Sequence, residues 1–215
     1  MPLVERILLG VLGFGLVVGL GSSILAPEFY TGVLSAEDGP LEWSTALFLF
    51  AAGVICVLRV LRLRKGGRYV AITLLGALVL FFGAGEEISW GQRIFGWASG
   101  EFWQENNAQA ETNLHNLMVG EVKVNRVLFG VILTLVFSLY FMLVPWLYRR
   151  FDAVRRVFDG WFIPVPKPVH GWAFAVSLVM MSLVPSGRAP ELGEFAIGVI
   201  LALAVVYPQN RDIVA

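Results

Sequence analysis

The chain has one cysteine, Cys56, and two histidines, His115 and His170. A single thiol closes no internal disulfide and builds no thiolate metal cluster. The two histidines are expected on opposite sides of the protein, which excludes a two-histidine metal site. Charge is scarce too: only 15% of residues are Asp, Glu, Lys or Arg, and the sixteen acids balance the sixteen bases. Nucleic acid is not among the expected partners. There is no internal repeat, no low-complexity segment and no period-2 alternation of the kind barrel strands show.

What the chain has in excess is apolar residues, 57% of its 215, and with them a positive mean hydropathy. A soluble globular protein is far less greasy. Six apolar runs approach or reach the ~20 residues that cross the hydrocarbon core as a helix: 7–25, 43–61, 69–90, 127–148, 169–186 and 190–207. Backbone groups in lipid must be satisfied internally, which leaves helices as the solution here. The expected fold is an all-α integral membrane protein, a single domain with a bundle of about six transmembrane helices. The first run is kept as a helix and not a signal peptide, because Pro27 after Ala26 makes a poor cleavage site. Gly15 and Gly19 in it form a GxxxG step that suits close packing on a neighbour.

Orientation follows from the basic residues, which cytoplasmic loops retain. With the N terminus inside, twelve of the sixteen Lys and Arg fall on the inner side, clustered at 59–68 and 149–167. Twelve of the sixteen acids fall on the outer side. The expectation is N-in and C-in, in a bacterial cytoplasmic (inner) membrane. So acidic an outer surface attracts cations and repels anions, although acid-rich loops alone would give the same count.

The third run ends in GEEISWGQR, residues 85–93. Only 17 residues, 69–85, precede the first glutamate, and at ~1.5 Å rise they cover roughly 25 Å, less than the hydrocarbon thickness. Glu86 and Glu87 therefore belong at or just within the outer boundary, where ionisable groups are costly and usually face a partner. If the helix continues through Arg93, Glu86 shares a face with Trp90 and Arg93, one acid pairs with the guanidinium, and the other is left for chemistry or a cation. The bland alternative is an interfacial ion pair with Trp90 as a belt anchor.

Residues 92–126 form one long outer segment, too polar to span and, with Phe95, Trp97, Phe102 and Trp103, too aromatic to leave the interface. In its ETNLHN stretch Glu111 and His115 stand four apart, and Asn113 and Asn116 three apart. On a helix, a carboxylate and an imidazole at that spacing can share a metal ion or act as base and orienter. Pro190 opens the last run, and Glu191 and Glu194 sit in its first turn, favoured by the helix dipole. The apolar run after Glu194 is only 13 residues, 195–207, so spanning draws Glu194 to the depth of Glu86 and Glu87. Glu42, at the start of the second run, is expected to be a solvated cap, and His170 a cap at the inner end of the fifth.

GEEISWGQRIFGW together with ENNAQAETNLHN resembles a group of bacterial integral membrane proteins over about residues 40–120. The resemblance implies a membrane location and carries no activity with it. Similarity to CAAX-type intramembrane proteases is poor, because five residues separate Glu87 from Arg93 and no later outer-side helix holds a histidine. Alkaline-ceramidase-like hydrolases need three histidines, and this chain has two.

The expected site is thus one polar pocket at the outer boundary. Glu87 and His115 are its candidate catalytic pair, and Glu86, Glu87, Glu111, His115 and Glu194 its candidate metal ligands. Trp90, Gln92, Arg93, Asn113 and Asn116 are candidate binding residues. A carboxylate-rich set suits Ca²⁺, Mg²⁺ or Mn²⁺ at least as well as zinc, and the substrate class is a lipid or lipid-linked molecule. Membrane lipids are the expected partners. The alternative is a non-catalytic accessory subunit of a membrane complex, with membrane-protein partners or a second copy of the chain. A transporter is disfavoured because, Ser and Thr apart, the helix middles carry no polar residue.

Overall fold

The computed structural model describes residues 1–119, 122–123 and 130–215. The expected start of the fourth run at Val127 and the 124–126 end of the outer segment lie outside them. The described chain is helical apart from a two-residue antiparallel pairing of Met118–Val119 with Val122–Lys123. Among the described residues five helices are long and apolar enough to cross a membrane: α1 (Leu3–Leu25), α2 (Pro40–Leu63), α3 (Gly67–Glu87), α4 (Gly130–Arg150) and α6 (Ala189–Val206). Between α4 and α6 lies α5 (Pro168–Ser182), apolar but only 15 residues long. The fifth run was expected to reach Ser186. Pro185 disfavours helical geometry at the residue before it, and α5 stops short.

The other differences lie at helix ends. α1 starts at Leu3, not Ile7, which brings Glu5 into its first turn. α2 starts at Pro40, where a fixed φ and a missing N–H cost nothing. α3 ends at Glu87 and not at Trp90, because Ser89, Trp90 and Gly91 take φ of 47°, 55° and 76° in succession.

Around the helices the surface is apolar: Phe14, Val17, Leu47, Leu78 and Val79 are each more than 60% exposed. Contiguous apolar surface of that kind is suited to lipid and not to water. Inside, α6 is the most enclosed helix, with Leu192, Val199, Ile200 and Leu203 fully buried. It packs on α1, α2 and α5. Phe195 and Leu192 of α6 lie over Gly15 and Gly19 of α1, where an added Cβ would collide with either side chain. A second cluster joins Leu49, Ala52 and Cys56 of α2 to Ala77, Leu80 and Ala84 of α3 and to Ala202 and Val205 of α6. In α4, Pro145 donates no N–H, and a π-helical stretch, Leu139–Leu143, precedes it. Gly171 of α5 fits against the Phe141 carbonyl there, at a distance that leaves no room for a Cβ.

The two ends of the helix assembly differ in chemistry. At one end basic side chains close onto main-chain carbonyls: Arg59 donates to Val205 and Val206, and Lys65 to Ile213. His170, expected to cap α5 at the surface, is fully buried there. Its Nδ1 accepts the Lys167 N–H at 3.2 Å, a capping bond, while its Nε2 lies 3.3 Å from the buried carboxylate of Glu5. The other end carries the candidate site and the acids that line it.

Candidate functional site

The site is built on the turn that ends α3. Three successive left-handed residues, two of them not glycine, are strained by roughly 1–2 kcal/mol per non-glycine residue, and such strain concentrates where function demands it. The turn folds the chain back so that Trp90 lies on Gly85, where a Cβ would come 2.9 Å from the indole ring. The indole Nε1 then donates to Glu86 Oε1 at 2.9 Å. Glu86 Oε2 accepts the backbone N–H groups of Leu114 and His115 at 2.6 and 3.1 Å. Both oxygens of this buried carboxylate are therefore engaged in holding the outer segment on the helices.

Residues 107–117 form turns, not a helix, so the expected helical face shared by Glu111 and His115 does not exist. The physical cause lies in two asparagines. Asn107 Oδ1 accepts the N–H groups of Gln109 and Glu111, and Asn113 Oδ1 accepts that of Asn116. Such side-chain bonds offer the backbone an alternative to helical pairing. Asn107 and Asn113 also bond each other at 3.0 Å. Asn116 Nδ2 donates to Gln109, and Gln92 Oε1 accepts from the Ser99 hydroxyl and the Thr112 N–H.

Glu111 bonds into the turn that ends α3. Its carboxylate accepts the Ser89 hydroxyl and, at 3.2 Å, the Asn113 side-chain amide, and lies 3.3 Å from Arg93 Nη1. Arg93 was expected to pair with one glutamate of the α3 end; instead it gathers Glu37, Asp38, Glu42 and Glu111 at 3.0 to 3.4 Å. Burial works against its charge, but the carboxylates of Glu111, Glu42 and Asp38 outweigh that and hold its pKa above the ordinary value. Glu42, expected to be solvated, is tied into this cluster.

Inside this frame lies a polar cavity of about 340 Å³. Glu86 and Glu87 form part of its wall, with Glu42 and Glu37 from the start of α2 and the loop before it, and Glu191 from the first turn of α6. His115, Asn113, Asn116 and Gln109 face it from the outer segment, and Arg188 from the loop before α6. Among the described residues the Glu87 carboxylate has no hydrogen-bond or ion-pair partner, although Glu194, Glu191, Glu42 and Glu86 all stand near enough to act on it electrostatically. His115 Nε2 lies 3.8 Å from Glu194 Oε1. Arg188 is positioned from both sides: Tyr30 Oη donates to its carbonyl at 2.9 Å, and its Nη1 donates to the Ser35 carbonyl at 2.8 Å. Burial, reinforced by the Glu191 charge, pushes the Tyr30 phenol up to about 12, so it stays a donor.

Of the expected residues, Glu86, Glu87, His115, Asn113 and Asn116 thus meet at the cavity, and Glu194 stands against the imidazole. Glu111, Gln92 and Arg93 belong to the supporting frame, and Trp90 lies on the far side of Glu86. Among the described residues no three His, Cys, Asp or Glu side chains are grouped to hold a metal ion. Two of the five expected ligands, Glu86 and Glu111, have their oxygens committed to protein donors. Sequence reasoning missed Tyr30, Glu37, Ser89, Asn107, Gln109 and Arg188 as parts of the site. Only Arg188 carried a signal, as one of four basic residues on an otherwise acidic side. Comparison of the chain with protein-family models, curated proteins and solved structures finds no match.

Proposed function

We propose that the chain is a six-helix, N-in and C-in protein of the bacterial cytoplasmic membrane whose outer-boundary cavity performs proton-transfer chemistry, a hydrolysis, on the polar part of a lipid or lipid-linked substrate. The observation that carries this reading is the Glu87 carboxylate in the cavity wall, without a hydrogen-bond or ion-pair partner among the described residues, beside a Glu86 whose two oxygens are both held by protein donors. Glu87 is the base: it takes a proton from a water as the water oxygen adds to the electrophilic centre of the substrate. His115, with Glu194 behind it, is the acid, giving its proton to the departing oxygen as that bond breaks. Arg188 and the Asn116 amide, which keeps one N–H beyond its bond to Gln109, line the cavity as donors to the substrate. The cavity is acidic enough to favour neutral or cationic head groups.

The test is incubation of purified protein with a total polar lipid extract, followed by mass analysis of the products. Wild type should turn over a lipid, and Glu87→Gln and His115→Ala should each lose about 10²–10⁴-fold, the usual worth of a positioned acid or base. Unchanged turnover in both variants rejects the assignment. Ca²⁺, Mg²⁺ and Mn²⁺ are the metal class that the remaining oxygen ligands suit, and metal content measured on the same preparations decides whether Glu87 holds a cation.

A second reading is favoured by the frame itself. Glu86, Glu111, Asn107 and Asn113 pin the outer segment whether or not the cavity is used. In an accessory subunit that pinned surface is the docking face, and co-purification of a stoichiometric membrane partner in mild detergent would support it.

A further inference from the structure

A second cavity, apolar and about 470 Å³ in volume, opens between α2 and α3 at the acidic end. Leu47 and Phe50 of α2 and Phe81 of α3 form its walls, and Trp43, Ile88 and Trp90 its upper rim. It borders the polar cavity through shared short stretches of chain. Glu42 lines the polar cavity and Trp43 the groove; Glu86 and Glu87 line the first, Gly85 and Ile88 the second. The partition is the Glu86 carboxylate itself, which bonds the Trp90 indole on the groove side and the His115 backbone on the other.

The geometry points to this groove as the seat of one hydrocarbon chain of the substrate, with the attached polar head reaching over Glu86 to Glu87 and His115. The occupant follows from surroundings and chemistry. The groove lies between two helices that are long and apolar enough to span a membrane, so lipid chains are what meets it. Its rim carries Trp43 and Trp90, 42% and 46% exposed, in the belt where ring bodies contact chains and polar edges face head groups. The indole N–H of Trp90 is already held by Glu86, which leaves its ring as an apolar wall. Gly85 makes this possible by letting the ring lie flat on α3. A molecule with both a chain and a polar head satisfies two adjoining cavities of opposite character. A water-soluble substrate would leave the groove unused. The inference rests on the acid–base reading of the polar cavity and adds the seat of its substrate's hydrocarbon chain.

The test uses the full chain reconstituted in vesicles of phosphatidylcholine and phosphatidylglycerol, with added phosphatidylcholine bearing a diazirine on one acyl chain. After irradiation, adducts are mapped by mass spectrometry. Labelling should concentrate on Leu47, Phe50 and Phe81 over Phe14, an open lipid-facing residue that is 72% exposed. Leu47 is itself 64% exposed, so Leu47→Trp fills the groove without disturbing packing. It should lower groove labelling about tenfold and leave Phe14 labelling unchanged. Equal labelling of the groove and Phe14, or no response to Leu47→Trp, overturns the proposal. Glu87→Gln separates the two readings. Groove labelling kept while lipid turnover is lost supports both. Turnover lost in Glu87→Gln with uniform labelling sinks the groove alone. Groove labelling with turnover unaffected by Glu87→Gln sinks the acid–base reading, and with it the groove's role for substrate.

Discussion

One oxygen of the Glu86 carboxylate accepts the backbone N–H of Leu114 at 2.6 Å, joining the end of α3 to a segment far along the chain. The adjacent glutamate makes no such bond. Neighbours in sequence therefore divide the work, Glu86 holding structure and Glu87 facing the cavity.

This division can be measured. Glu86→Gln presents an amide N–H₂ to a site lined by donors and is expected to cost about 1–3 kcal/mol. The Leu114 and His115 amides should exchange faster with deuterium. Glu87→Gln should leave both the exchange pattern and the stability within about 0.5 kcal/mol of wild type.

Arg93 joins four carboxylates, two of them, Glu42 and Glu111, with only 12% and 11% of their side chains exposed. Arg93→Met strands these charges and is expected to cost about 3 kcal/mol. Arg93→Lys restores the charge but not the planar fork and should recover only part. Thermal unfolding in detergent ranks the three proteins.

Gly171→Ala places a Cβ against the Phe141 carbonyl, a main-chain atom that cannot swing aside. Separation of α4 from α5 should cost about 1–3 kcal/mol. Gly10→Ala, with nothing within 4 Å of its added carbon, should be neutral or gain about 0.5–1 kcal/mol from helix entropy. The same unfolding assay reads both.

The Tyr30 phenol titrates late. Its pKa is raised by burial from 10.0 to about 12, so the folded state holds that proton more tightly than the unfolded chain does. The stability linked to it is complete below pH 10.0 and disappears as pH rises towards 12. The tyrosinate absorbance difference between wild type and Tyr30→Phe should show a midpoint near 12, not 10.0.

How much of this was legible beforehand depends on the range of the interactions. The helices were visible because apolar length alone specifies a span. Their ends were less visible: nothing local in Ser89 and Trp90 announces left-handed backbone, since only Gly91 of the three prefers it. The spacing of Glu111 and His115 misled because Asn107 and Asn113 bond the backbone and prevent a helix. The partners of Arg93 could not be read from local spacing at all. Glu37, Asp38 and Glu42 reach it through the packing of α2 on α3, a long-range relation.

The most enclosed helix among the described residues, α6, comes after α1 to α5 in the chain. As the chain is made, α6 must find its place among helices already synthesised, and until it does, the Gly15 and Gly19 face of α1 lacks the side chains that cover it and Glu191 is missing from the cavity wall. Assembly therefore leaves the cavity wall incomplete until α6 has packed against α1, α2 and α5.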